Sequence, residues 1–76
     1  MSRIEKVIPK EKHCIEIIFE SKSSVILNLE SKLQTVRFRA LTDEALFRRV
    51  MTDGNYIRWD KKVEISVEEI FQLIKK

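Results

Sequence analysis

Seventy-six residues, 43% hydrophobic and 36% charged, describe one small globular domain spanning residues 1–76 and leave no room for a second core. A chain of this length buries only about 60% of the surface it exposes when unfolded, which argues against a deep, dry catalytic cavity and for a binding surface. The net charge of +3 permits weak attraction to anions but falls short of a nucleic-acid binder's signature.

No apolar run approaches the roughly 18 residues of a membrane span, and Met1-Ser2-Arg3-Ile4-Glu5-Lys6 lacks the apolar centre of a signal peptide. The expectation is a cytoplasmic protein with no membrane association. Cys14 is the only cysteine and His13 the only histidine, so no internal disulfide forms and a four-ligand zinc site falls short within one chain. Neither a metal nor a cofactor is expected.

Ile4 to Pro9 is β-compatible and closes in a turn at Pro9-Lys10-Glu11-Lys12. His13 to Glu20 alternates cleanly, with Ile15, Ile17 and Phe19 on one side and Cys14, Glu16, Ile18 and Glu20 on the other. Val25-Ile26-Leu27-Asn28-Leu29 repeats the alternation with Val25, Leu27 and Leu29 inward. Pairing the two apolar faces on one side matches Phe19 with Val25, Ile17 with Leu27 and Ile15 with Leu29. It leaves a loop Ser21-Lys22-Ser23, which wants a left-handed residue and contains no glycine. In this register Ile18 lies opposite Ile26 on the face away from the core, a candidate contact patch.

Glu30 to Gln34 is consistent with a helical turn, and Thr35 to Ala40 reads as extended, with Val36 and Phe38 inward, or as an irregular crossing. Thr42 is then placed as a helix N-cap, followed by Asp43 and Glu44 in the first turn and Arg48 and Arg49 in the last. Leu46, Phe47 and Val50 mark the buried stripe.

Asp53-Gly54 is the strongest hairpin signal in the chain. A two-residue loop there sets Val50 opposite Ile57, with Trp59 on the same face as a packing anchor, and pairs Met51 with Tyr56 on the reverse face. Ser66-Val67-Glu68-Glu69 is a capping box, and Val67, Ile70, Phe71 and Ile74 follow at helical spacing, with Lys75 and Lys76 at the end. The fold class is therefore α+β: a small antiparallel sheet in the order β-β-β-α-β-β-α, with two short helices packed on one face.

The segments Phe38-Arg39-Ala40-Leu41-Thr42-Asp43, Phe47-Arg48-Arg49-Val50, Asp53-Gly54-Asn55-Tyr56-Ile57-Arg58-Trp59 and Glu64-Ile65-Ser66, with the strand ending in Phe19, resemble the bacterial domain of unknown function 2442 family over nearly the full chain. That family tends to carry glycine in the first hairpin turn, where this chain has Ser21-Lys22-Ser23-Ser24. The resemblance implies no catalytic residues. It implies a partner, since members include proteins encoded beside another small protein in arrangements suggestive of toxin and antitoxin pairs.

No enzyme is expected. One glycine excludes Gly-rich phosphate loops, and neighbouring strand residues such as His13 and Cys14 point to opposite faces. The leading expectation is a protein-binding module using Ile18, Ile26, Met51 and Tyr56, itself a monomer or weak homodimer, with another small protein as partner. The alternative is a nucleic-acid-binding accessory protein whose basic strip comprises Arg37, Arg39, Arg48, Arg49, Arg58, Lys61 and Lys62.

Overall fold

A computed structural model describes residues 3–74. Three strands, β1 (Ile4–Pro9), β2 (Cys14–Phe19) and β3 (Ser24–Asn28), form one antiparallel sheet in that order. A run of turns with short 3₁₀ segments at Glu30–Lys32 and Arg39–Thr42 leads to α1 (Glu44–Phe47). A second antiparallel sheet, β4 (Met51–Thr52), β5 (Tyr56–Trp59) and β6 (Val63–Ser66), follows, and α2 (Val67–Ile74) ends the described chain.

The fold is α+β as expected, but it holds two three-stranded sheets and not one. The register of β1 shifts between Ile4 and Lys6, and such a bulge bends an edge away from further pairing. The two sheets meet there through the Ile4 amide, which donates to the Gly54 carbonyl at 2.9 Å, and no ladder continues across. On the opposite side α2 packs against both β3 and β6. One apolar core fills the space between, from Ile15, Ile17 and Leu27 of the first sheet to Ile57, Trp59 and Ile65 of the second, with Leu41, Phe47 and Ile70 from the helical segments.

The sixth strand is an addition to the expected order. Val63 and Ile65 are buried while Glu64 is exposed, the period-two pattern of a half-buried strand. Conversely, no strand forms over Thr35–Ala40. Amides there bond to carbonyls three residues back, Thr35 to Lys32 at 3.0 Å and Leu41 to Phe38 at 2.9 Å. That spacing turns Phe38 and Leu41 inward together and leaves Val36 87% exposed, against the expectation that Val36 faces the core.

Both hairpins keep the expected facing with a different register. In the first, Ile17 pairs with Val25 and Ile15 with Leu27. The loop is Glu20-Ser21-Lys22, closed by the Phe19 amide on the Ser23 carbonyl at 2.9 Å, and Lys22 takes the left-handed position at φ 77°. A three-residue loop needs that conformation at its third residue, and Lys22 supplies it in place of glycine. In the second, Thr52 pairs with Ile57 and Met51 with Arg58, so residues 53–56 form a four-residue loop and Met51 does not face Tyr56. Side chains select that loop: Asp53 Oδ1 accepts from the Asn55 and Tyr56 amides at 3.0 and 3.1 Å, and Thr52 Oγ1 donates to the Tyr56 carbonyl at 2.7 Å.

The two amide bonds from Asn55 and Tyr56, with the nearby Arg58 charge, hold the Asp53 carboxyl below the ordinary carboxylate range. A depressed folded-state pKa contributes stability above the unfolded pKa of about 4 that is lost as pH falls through the folded value. Lowering the pH from about 5 to 2.5 is therefore expected to cost the wild type more thermal stability than Asp53→Asn, which keeps the acceptor oxygen without the titration. Equal losses in parallel melts of the two proteins would remove Asp53 as an acid-sensitive element.

Asp43, and not Thr42, caps α1: its Oδ1 accepts from the Ala45 and Leu46 amides at 3.0 and 3.4 Å. Thr42 Oγ1 instead donates back to the Arg39 carbonyl at 2.9 Å, closing the preceding 3₁₀ segment. At α2, Ser66 Oγ accepts from the Glu69 amide at 3.1 Å, half of the expected capping box. The Glu69 carboxylate does not reach back to Ser66, because Arg37 holds it.

Candidate functional site

The outer face of the first sheet carries three rows of side chains. Ile8, Glu16 and Ile26 form one, Lys6, Ile18 and Ser24 the next, and Cys14 with Asn28 the third. Ile18 thus lies opposite Ser24 and diagonal to Ile26, a correction to the expected direct pairing that follows from the shifted register. Diagonal neighbours across an antiparallel pair sit about 7–8 Å apart, so the two isoleucines still belong to one patch. Ile18 is half-buried, and Ile26 is 55% exposed.

Two open grooves border Ile26. One, of about 600 Å³, is lined by Pro9, Lys10, Glu11, Cys14, Ile26 and Arg48. The other, of about 310 Å³, runs between the end of β3 and the last turn of α2, with Ile26 and Asn28 on one side and Leu73 and Ile74 on the other. Ile74 and Phe71 are further exposed apolar side chains of α2, although Phe71 stacks on Phe19 at 5.6 Å. Helical spacing marked both as core, but α2 buries Val67 and Ile70, and Leu73 in part, so the flank with Phe71 and Ile74 stays open to solvent.

Met51 and Tyr56 are exposed on the second sheet, away from the isoleucine patch in the ladder. Arg58 stands between them, its guanidinium 5.9 Å from the Tyr56 ring centre and its Nη2 on Asp53 at 3.1 Å and Glu64 at 2.7 Å. The four residues picked for partner binding therefore divide into two surfaces, one apolar and one charged.

Four residues of the basic strip are engaged with carboxylates of the chain itself. Arg37 forks onto Glu69 and also donates to the Glu64 carbonyl at 2.7 Å, and Glu69 raises the guanidinium's pKa above its ordinary range. Arg48 meets Glu44 at 3.4 Å, Arg49 meets Asp60 at 3.4 Å, and Arg58 is paired as above. Among the described residues Arg39, Lys61 and Lys62 make no ion pair.

His13 and Cys14 diverge, though His13 lies in a left-handed turn at φ 59° and not in the strand. Its ring meets Phe47 edge-on at 4.9 Å, whereas Cys14 stands on the outer face with Sγ 3.8 Å from the Lys12 carbonyl. Among the described residues no cluster of three His, Cys, Asp or Glu side chains is arranged to hold a metal ion. No described helix is long and apolar enough to cross a membrane.

The architecture and the site define a small α+β protein with two three-stranded antiparallel sheets and an apolar patch on one outer face. Its chain matches no family model, no curated protein and no solved structure.

Proposed function

We propose that this chain is a small non-catalytic protein-binding module that receives another small protein on the outer face of its first sheet. The observation that carries the reading is Ile26, a β-branched apolar side chain 55% exposed between two open grooves. Exposed apolar surface of this kind gains free energy when a partner excludes water from it, at about 25 cal/mol per Å². Ile18 and Ile8 extend the patch, and the Lys10–Glu16 pair at 3.4 Å gives it a polar component. The likeness to the domain 2442 family supports the same role and suggests, as the partner, the product of a neighbouring gene in an antitoxin-like arrangement.

The nucleic-acid reading loses ground to the ion pairs. Each phosphate contact by Arg37, Arg48, Arg49 or Arg58 first requires breaking a contact with the chain's own carboxylate, which removes part of the Coulomb gain. Co-expression of the tagged chain with the neighbouring gene product tests the proposal. Co-purification is expected for the wild type and for Met51→Asp, and loss is expected for Ile26→Asp. Failure to co-purify, combined with salt-sensitive binding of single- or double-stranded oligonucleotides at low ionic strength, would replace the protein-binding reading by the alternative.

A further inference from the structure

The free edge of β3 offers main-chain groups in an order that fits a copy of itself. The Phe19 amide bonds to the Ser23 carbonyl and the Leu29 amide to the His13 carbonyl, both at 2.9 Å. Both belong to the single β2–β3 register, so by the alternation of antiparallel ladders Val25 and Leu27 also direct their amides and carbonyls at β2. Ser24, Ile26 and Asn28 direct theirs outward, and among the described residues no strand pairs with β3 on that side.

Other strand edges are guarded. β1 carries a bulge, Lys6 and Pro9 and meets Gly54 at its start. β4 is two residues long, and β6 runs straight into α2. Within β3 itself no proline, no charge and no bulge interrupts Ser24-Val25-Ile26-Leu27-Asn28, and between its end and α2 the groove stays open.

We propose that two copies pair β3 with β3 antiparallel about a two-fold axis at Ile26, making one six-stranded sheet. The outward row then self-matches: Ser24 faces the second copy's Asn28, Ile26 faces Ile26, and Asn28 faces Ser24. All three residues exchange amide and carbonyl bonds with their opposites, and the two exposed isoleucines stand side by side on the outer face, joining the two patches into one. The groove between β3 and α2 gives the second strand a seat walled by Leu73 and Ile74. The inference deepens the partner-binding reading, because the joined sheet doubles the outer face that receives the other protein.

The register is testable with substitutions that keep the monomer's own hydrogen bonds. Ser24 and Asn28 are exposed and lie about 13 Å apart along one strand, too far to pair within a chain. Sedimentation velocity of the full chain over about 10 μM to 1 mM is expected to show the 9.1 kDa monomer giving way to a species of twice that mass. The double variant Ser24→Lys with Asn28→Asp places two opposite-charge pairs across the two-fold and is expected to tighten the dimer about tenfold. Ser24→Asp with Asn28→Asp places like charges there and is expected to weaken it about tenfold while preserving the bond from Asn28 Oδ1 to the Glu30 amide. A monomer at every concentration, or two variants that associate equally, overturns the inference. Co-purification with another protein by a chain that stays monomeric leaves the functional reading standing and this one fallen. Dimerisation with no co-purifying protein does the reverse.

Discussion

Trp59→Ala is expected to leave the chain largely unfolded at room temperature. The indole is 0% exposed, its ring lies 6.1 Å from that of Phe47, and its Nε1 donates to the Phe47 carbonyl at 2.9 Å. Removing a buried tryptophan costs about 3–5 kcal/mol, and orphaning a buried carbonyl adds about 1–3 kcal/mol. A domain of 76 residues has about 4–11 kcal/mol in total to lose. The milder Trp59→Phe separates the two contributions, since it keeps a ring in the site but leaves the Phe47 carbonyl without its donor. A loss of about 2–3 kcal/mol is expected, read as a fall in melting temperature of roughly 8–24 °C by circular dichroism. If Trp59→Phe melts with the wild type, the indole hydrogen bond is not what ties α1 to β5.

Ile70→Ala is expected to be the second most damaging of the substitutions considered. An eight-residue helix has no stability of its own, so α2 exists because Val67 and Ile70 are buried between β3 and β6. Truncating a fully buried isoleucine costs about 2–5 kcal/mol, and here the cavity opens beneath the helix that bridges β3 and β6. The loss is expected to be local at first: amides of α2 and β6 exchange faster with solvent while the centre of β2 keeps its protection. Gln72→Ala, an exposed change on the same helix, is the control and is expected to shift stability by less than about 0.5 kcal/mol. Uniform loss of protection across both sheets in the Ile70 variant would show that α2 is not a separable bridge.

β2 and β3 were legible from alternation alone, β1 only as a β-compatible run, and Trp59 from its place among inward residues. Both hairpins were read with the correct facing and the wrong partners, by two residues each. Facing depends on which side chains are apolar, a strictly local property. The partner depends on which loop closes, and there Lys22 accepting a left-handed backbone and Asp53 collecting two amides outweighed the simplest turn. The candidate site followed suit: Ile26 was found as an outward isoleucine, but its true neighbours, Glu16 beside it and Ile74 across the groove, depended on register and on the docking of α2. Glu69 was read as a capping residue because the spacing from Ser66 suits one. Arg37, 32 residues away, claimed its carboxylate instead.

By itself the sequence determined the α+β class, the inward faces of β2, β3 and β5, the start of α2 and the burial of the indole, because each follows from side-chain periodicity or a contact within four residues. Tertiary structure alone decided that there are two sheets, that four arginines are tied to the chain's own carboxylates, and that among the described residues no strand pairs with the outer edge of β3. Those outcomes rest on pairings between distant segments, where several registers satisfy the same local pattern and only the packing of the whole chain separates them.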